Sequence, residues 1–256
     1  MEIFYAGQGE RRLLSIFHPG TTDNLHETAI IICHPLGHEY IRYYKTLTVL
    51  AKKLSAEGFN TLRFDYFGTG DSYGNEVDLT IDTARHDLEQ MIEEVKGATG
   101  FSRICLIGVR FGTLICSSVS HIPGICAVAL WNPVLSGKLY MEDLRKQHKL
   151  QMGGSFAKIR QGDHFEALGF AYNNRFTHSE YAQLKVPDFL PTFVLADRDF
   201  FDTYKWMDYD KYPFLKRDTN DESQFWIKSK NDLDKSIVPV SDIEKIVRWV
   251  KGNGIS

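Results

Sequence analysis

The chain has 256 residues, of which 43% are hydrophobic and 25% are charged, which is typical of a globular protein with a sizeable core. The length suits one α/β domain with a modest insertion, and the formal net charge of −3 gives no reason to expect nucleic acid or an anionic membrane as a partner. We find no apolar stretch that could span a bilayer and no signal peptide. The four cysteines lie in or beside apolar runs without a Cys-x-x-Cys spacing, which favours buried reduced thiols, so we expect a cytoplasmic protein.

Apolar runs predict the strands of this chain, and helically spaced apolar residues predict its helices. The predicted strands are, in chain order, Glu2–Ala6, Leu13–His18, Thr28–Cys33 and residues 60–64, 104–107, 127–131, 191–196 and 224–227. The predicted helices cover residues 40–57, 80–97, a run that begins at Gly112, and residues 241–251, the last N-capped by Ser241. Strands that alternate with helices imply a mostly parallel, doubly wound sheet with helices on both faces.

Residues 137–186 interrupt this alternation. The segment is aromatic, basic and prone to form helix, and it lacks a strand pattern. We therefore predict a small helical cap, inserted after the strand that ends at Trp131 and placed over the carboxyl edge of the sheet. Residues 1–136 and 187–256 would form the core domain.

A sharp turn from strand to helix is predicted at residues 108–112, which follow the pattern Gly-x-Arg-x-Gly. The two glycines let the strand and the helix approach closely and hold the middle side chain at the helix N-terminus, as in the Gly-x-Ser-x-Gly nucleophile elbow. Here the middle residue is Arg110. A guanidinium keeps its proton at any working pH and has no lone pair to attack a carbonyl. We therefore expect no serine-type hydrolysis at this elbow.

Four motifs follow one another in a recognisable order. They are His-Pro-Leu-Gly at residues 34–37, a glycine-rich loop at 65–72, the elbow at 108–112, and Leu-Ala-Asp-Arg-Asp at 195–199. Together they resemble the α/β-hydrolase superfamily, and more closely its small serine-peptidase and esterase branch. The arginine in the elbow and the segment 168–172 are also similar to hydrolase-like proteins that accompany bacterial exosortase systems. The resemblance implies an α/β-hydrolase fold over nearly the whole chain.

The resemblance also implies a role for individual residues. The nucleophile position falls on Arg110, the acid position on Asp199, and the two oxyanion-hole amides on Phe111 and Leu36. The catalytic histidine should lie between the last predicted strand and the last helix, but that segment contains no histidine. Two of the three triad positions therefore depart from the pattern of the superfamily.

Two histidines are candidates for proton transfer. His34 and His38 border the expected oxyanion hole, so either could act as a general base toward a water or a substrate. The alternative is a ring that hydrogen-bonds the backbone in a turn. No spacing of histidines or cysteines indicates a metal site, and we predict no cofactor.

Arg110 would stand at a helix N-terminus, where a partly buried cation needs a negative partner. One candidate is internal, namely Asp199 or its neighbour Asp197. The other is a ligand carboxylate or phosphate that the guanidinium grips with two donors. In the second case, aromatic side chains would line the ligand pocket, unless they form the core of the cap instead. These side chains are Trp131, Tyr140 and Phe170.

Three functional hypotheses follow. The first is a protein that binds, or processes without a serine nucleophile, an acyl or carboxylate-bearing small molecule in a cleft above Arg110. The second is a catalytically inactive scaffold for a protein partner, which predicts an Arg110–Asp199 pair, a closed cleft and an exposed apolar patch over residues 206–214. The first hypothesis instead predicts an open cleft in which Arg110 is reachable and its charge is unpaired. The third is an esterase or thioesterase that uses a non-standard residue.

Overall fold

The computed structural model describes residues 1–21, 25–151, 164–203, 214–220 and 238–252. The strands among these residues are β1 (Glu2–Ala6), β2 (Leu13–His18), β3 (Thr28–Cys33), β4 (Thr61–Phe64), β5 (Arg103–Val109), β6 (Ile125–Trp131), β7 (His164–Ala167), β8 (Phe170–Asn173), β9 (Thr192–Ala196) and β10 (Leu215–Thr219). The α-helices are α1 (Gly37–Ala56), α2 (Ile81–Thr99), α3 (Phe111–Val119), α4 (Gly137–Gln151), α5 (Arg198–Thr203) and α6 (Val240–Gly252).

Eight of these strands form one sheet in the order β1-β2-β4-β3-β5-β6-β9-β10. β2 pairs antiparallel with both β1 and β4. The other neighbouring strands pair in parallel. The predicted α/β fold with a mostly parallel sheet is therefore confirmed.

The central strands are buried on both faces, which explains their continuous apolar sequences. Successive residues of β5 show this, because Ile104 and Leu106 belong to one core cluster while Cys105 and Ile107 belong to the other. The first cluster packs the sheet against α2 and α3, and the second packs it against α1 and α6. Parallel strands end at the same edge, so the loops after β3, β5, β6 and β9 gather there.

The C-terminal part of the fold differs from the prediction in two details. Helix α6 begins at Val240, and the amide of Ile243 already bonds the carbonyl of Pro239 at 3.1 Å. Ser241 therefore lies inside the first turn and is not the N-cap. Strand β10 was not predicted, because it is a polar edge strand whose residues are all at least partly exposed. The strand predicted over residues 224–227 lies outside the described residues.

The segment between β6 and β9 contains the expected helix, α4, and also a β-hairpin that the sequence analysis did not predict. Strands β7 and β8 pair antiparallel through a two-residue turn in which Leu168 and Gly169 both have positive φ, as such tight turns require. The hairpin contacts the core where the amide of Ala171 donates to Glu76 at 2.7 Å. The division into core and cap stays a prediction. No helix in the described ranges has the length and hydropathy to cross a membrane.

Candidate functional site

The predicted elbow lies between β5 and α3. Arg110 has φ 50° and ψ −116°, a conformation that residues other than glycine rarely adopt. A Cβ atom on Gly108 would collide with the backbone of Gly112, and one on Gly112 would collide with the carbonyl of Cys33. The two glycines thus let α3 pack directly against the ends of β5 and β3, which fixes Arg110 at the carboxyl edge of the sheet.

The Arg110 side chain is the centre of a buried ion-pair network. Its Nε and Nη2 donate to Oε1 of Glu39 at 3.1 and 2.9 Å, and Nη2 also donates to Oδ2 of Asp143 at 3.0 Å. The hydroxyl of Tyr140 donates to the other oxygen of Glu39 at 3.0 Å, and the amide of Gln147 donates to Asp143 at 3.1 Å. We call these five residues the Arg110 cluster.

Three elements supply the Arg110 cluster. Arg110 comes from the elbow after β5, and Glu39 lies in the first turn of α1, which follows β3. β3 and β5 are adjacent and parallel, so the elbow and the start of α1 meet at one edge. Tyr140, Asp143 and Gln147 recur at helical spacing on one side of α4. The cluster therefore ties helix α4 of the insertion to the core.

The electrostatics of the cluster depend on burial. The side chain of Glu39 is fully buried, that of Arg110 is 12% exposed and that of Asp143 is 39% exposed. Burial raises the pKa of Glu39, and the charge of Arg110 offsets part of this increase. Burial alone would lower the pKa of Arg110, but the neighbouring Glu39, Asp143 and Tyr140 together outweigh burial, and the pKa is raised. The guanidinium is therefore cationic and held by an internal carboxylate.

The expected pair between Arg110 and Asp199 is not formed in the described part of the chain, where the acid partners of Arg110 are Glu39 and Asp143. Asp197 instead accepts a hydrogen bond from the amide of Phe200 at 2.7 Å and so caps α5. Asp199 lies in the exposed first turn of that helix. The internal partners of Arg110 are acids of α1 and α4, so the prediction of Asp199 or Asp197 as partner is wrong. The expectation of the ligand hypothesis that the charge of Arg110 is unpaired is wrong as well.

A cavity of about 610 Å³ opens beside the cluster, a size found for small-molecule sites. Its described lining comes from the elbow, from the segment after β6, from one face of α4, and from residues 196–200. Arg110, Asp143 and Asp199 all border it. The cavity therefore occupies the place where the superfamily resemblance puts an active site.

The three aromatic residues predicted to line a ligand pocket lie in different places. Tyr140 borders the cavity. Trp131 is fully buried on the α1 and α6 side of the sheet, where its ring packs edge-to-face on Tyr43 at 5.6 Å. Phe170 borders a separate pocket of about 40 Å³ beside Leu36. Only Tyr140, of these three, is in contact with the space above Arg110.

The two candidate histidines lie near the elbow but have local partners. His34 is buried, and its Nδ1 bonds the carbonyl of Pro35 at 2.5 Å. Its Nε2 is 3.9 Å from Asp65, which is beyond hydrogen-bond distance. Nε2 of His38 accepts a bond from Arg42 at 3.2 Å. Burial lowers the pKa of both rings. Proton transfer by either histidine stays a prediction, since neither is among the described residues that border the cavity.

The oxyanion-hole positions follow adjacent strands. Leu36 is the N-cap of α1, and Phe111 is the first residue of α3. Amides at helix N-termini have no acceptor within their own helix, so both positions offer a donor at the carboxyl edge of the sheet. Their role in stabilising an oxyanion stays a prediction.

An amide network lies where the chain leaves β10, before the segment in which the resemblance places the catalytic histidine. Asn220 follows β10, and its Nδ2 donates to Asn132 at 2.6 Å. Asn132 in turn donates to the hydroxyl of Tyr43 at 3.0 Å and borders the cavity. The sequence has no histidine after His178. Sequence reasoning missed both asparagines, because a lone asparagine after a strand has no distinctive pattern.

The sheet and its flanking helices have the architecture of the α/β-hydrolase superfamily. The sequence model of the serine aminopeptidases, S33, matches residues 25–179, and the chain belongs to this family. A search of curated proteins finds no match.

Solved structures share the fold at low sequence identity. Est1E from Butyrivibrio proteoclasticus, with ferulic acid bound, is 16% identical over 97% of this chain and 99% of its own, with a TM-score of 0.64. Alpha/beta hydrolase domain-containing protein 10 from mouse is 15% identical over 98% and 97%, with a TM-score of 0.62. An alpha-beta serine hydrolase homologue from Coxiella burnetii is 18% identical over 96% of each chain, with a TM-score of 0.59.

Proposed function

We propose that this protein binds an acyl or carboxylate-bearing small molecule in the cavity above Arg110 and does not hydrolyse it by a serine mechanism. One observation carries the proposal: a cavity of about 610 Å³ opens at the elbow, and the residue that borders it at the nucleophile position is an arginine. Loss of the nucleophile of a triad lowers the rate roughly a millionfold. The absence of any histidine after His178 removes the usual base as well.

The cavity supports a small-molecule ligand. It combines the donors of Arg110 and Gln147 with apolar side chains such as Leu139 and Phe200, the mixture that small-molecule sites present. We propose that residues 137–186 act as its cap, because α4 supplies one wall. A neighbour in fold, Est1E, binds ferulic acid, which is itself an aromatic carboxylic acid. The four free cysteines favour a reducing compartment such as the cytoplasm.

A catalytically inactive scaffold is the second candidate. It is favoured by the internal neutralisation of Arg110, since Glu39 and Asp143 hold the guanidinium without any ligand. The apolar patch that this hypothesis places over residues 206–214 lies outside the described residues, except for Phe214, which is exposed. A scaffold of this kind would bind a protein partner and no small molecule.

The test combines turnover and binding. We would assay a panel of nitrophenyl esters and acyl thioesters, and measure calorimetric binding of octanoate and ferulate. The variants are Arg110→Ala, His34→Ala and, as the control, Lys149→Ala, because Lys149 is an exposed cation on α4 outside the lining of the cavity.

The proposal expects no turnover above background, with carboxylate binding that is lost in Arg110→Ala and kept in Lys149→Ala. Turnover by the wild type that disappears in His34→Ala would establish the third hypothesis, a hydrolase with a non-standard residue. Absence of both turnover and binding would favour the scaffold.

A further inference from the structure

The carboxylate of Asp143 is bound to Arg110 at the border of the cavity. We propose that Asp143 fills the anion subsite of the cavity in the ligand-free protein, and that the carboxylate of an amphipathic monocarboxylic acid replaces it on Arg110. This inference rests on the proposed function and deepens it, because it names the ligand class, the subsite and the side chain that the ligand displaces.

Two donors converge on the subsite. Nη2 of Arg110 and Nε2 of Gln147 both donate to the same oxygen, Oδ2 of Asp143, at 3.0 and 3.1 Å. Gln147 is 5% exposed and the Arg110 side chain 12%, so packing holds both donors in place. A guanidinium and a primary amide can only donate through these nitrogens. The chain itself thus shows that a carboxylate oxygen fits between them.

The two carboxylates on Arg110 differ in how firmly they are held. Glu39 is fully buried and accepts three hydrogen bonds, two from Arg110 and one from Tyr140. Asp143 is 39% exposed and accepts bonds on one oxygen. Partly exposed ion pairs contribute little to stability, so a ligand can compete with Asp143, whereas Glu39 remains.

Charge balance favours a monocarboxylate as the competitor. Among the described residues, exchange keeps two carboxylates on Arg110, whereas a phosphate dianion would add negative charge beside Glu39. The displaced Asp143 can turn toward solvent, on the same helix face as Lys146, which borders the cavity one turn further along α4.

The body of the ligand is defined by the rest of the cavity. Apolar side chains border it on the α4 side and beside β6 and α5. They are Val134, Leu135, Leu139, Leu150 and Phe200. An aliphatic or aromatic acid can therefore place its carboxylate on Arg110 and its apolar part along these residues.

The exchange can be tested with matched probes and variants. The probes are octanoate and ferulate, each beside its own primary amide, which has a similar shape but no charge. Binding is measured by calorimetry on the wild type, Asp143→Asn and Glu142→Gln. Glu142 is the control because it borders the same cavity on the neighbouring position of α4, and no ion pair joins it to Arg110.

We expect Asp143→Asn to bind the acids about tenfold more tightly than the wild type does, since the internal competitor has lost its charge. The two amides should gain less than the acids do from Asp143→Asn, because they bring no charge to Arg110. Glu142→Gln should change acid binding by no more than about twofold. In the Asp143→Asn background, Gln147→Met should weaken acid binding more than amide binding, since the hydrogen bond from Gln147 is stronger to a charged oxygen. This second comparison tests the subsite without relying on Asp143 alone.

Four results would overturn the exchange. Acids that bind all variants equally, or that gain as much from Glu142→Gln as from Asp143→Asn, would refute the exchange and leave the proposed binding function in place. Gln147→Met without effect on acid binding would remove the subsite. If none of the four probes bound any variant, the exchange and the proposed function would fail together.

Discussion

Replacing Arg110 with methionine removes the charge from the elbow while keeping most of the length of the side chain. Glu39 is fully buried, and in this variant it loses both hydrogen bonds from Arg110 and keeps the one from Tyr140. Breaking a buried ion pair by removing one partner destabilises a protein by about 3–5 kcal/mol, because a charge is left uncompensated. Loss of the ion pair between Arg110 and Asp143 adds little to this destabilisation, since the side chain of Asp143 is 39% exposed.

Protonation of Glu39 sets an upper limit on the loss. Its ordinary pKa is 4.5, so protonating it at pH 7.5 costs about 4 kcal/mol, at about 1.4 kcal/mol per pH unit. At pH 5.5 the same protonation costs about 1.4 kcal/mol. Because the pKa of Glu39 is raised in the folded variant, the folded state binds a proton that the unfolded state does not, and the variant gains stability as pH falls.

The free energy of unfolding at the two pH values can be measured by urea unfolding, followed by tryptophan fluorescence. Arg110→Met should lose about 4 kcal/mol at pH 7.5 and about 1.5 kcal/mol at pH 5.5. The double variant Arg110→Met, Glu39→Gln should recover most of the loss and show little pH dependence. Arg145→Met, at an exposed arginine on α4, should cost less than about 1 kcal/mol. A loss that is equal at both pH values, or a double variant as unstable as the single one, would refute the ion-pair account.

Three further predictions concern the backbone and a buried histidine. Gly112→Ala should lower the free energy of unfolding in urea by at least about 2 kcal/mol, because the added Cβ meets the carbonyl of Cys33. Gly97→Ala, in open space on α2, should raise the free energy of unfolding by up to about 1 kcal/mol. Equal effects of the two substitutions would contradict the close packing. Arg110→Gly should be about 1 kcal/mol more stable than Arg110→Ala, since φ is 50°; the reverse order would argue against strain. Burial, with a smaller contribution from Arg63, lowers the pKa of His18 to about 4. The unfolded state therefore binds a proton on this ring more readily than the folded state does. Up to about 3 kcal/mol of stability should be lost as the pH falls from 6.5 to 4. His18→Gln should flatten that part of the stability profile, and an unchanged slope would exclude His18 as its source.

Local sequence predicted those parts of the fold that local chemistry determines. The continuous apolar run of β3 predicts a strand that is buried on both faces. The paired glycines of the elbow predict a sharp turn from strand to helix. Strand β10 was missed because Lys216, Arg217 and Asp218 are exposed at a sheet edge, where no apolar alternation is needed. The β7–β8 hairpin was missed because its turn uses Leu168 and Gly169, and lacks the Asn-Gly pair that usually indicates such a turn.

The sequence predicted where the site lies, but only some of the residues that form it. The elbow pattern indicated that Arg110 would be partly buried and would need an acid. Glu39 was a findable partner, since it lies in the first turn of the helix after β3, the strand next to β5. Asp143 could not be found in the same way, because its distance from Arg110 depends on the direction in which α4 crosses the sheet edge. That direction is set by tertiary packing of the insertion, which sequence spacing does not specify.

The burial of Glu39 constrains the order in which this site could change. Serine at position 110 would leave the carboxylate of Glu39 enclosed with only the Tyr140 hydroxyl bound to it, so the intermediate protein would lose stability before gaining any chemistry. Neutralising position 39 first avoids that intermediate, and a histidine after β10 is needed in addition. Conversion to a serine hydrolase therefore requires at least three coordinated replacements, and the arginine is retained by its neighbours as much as by any ligand.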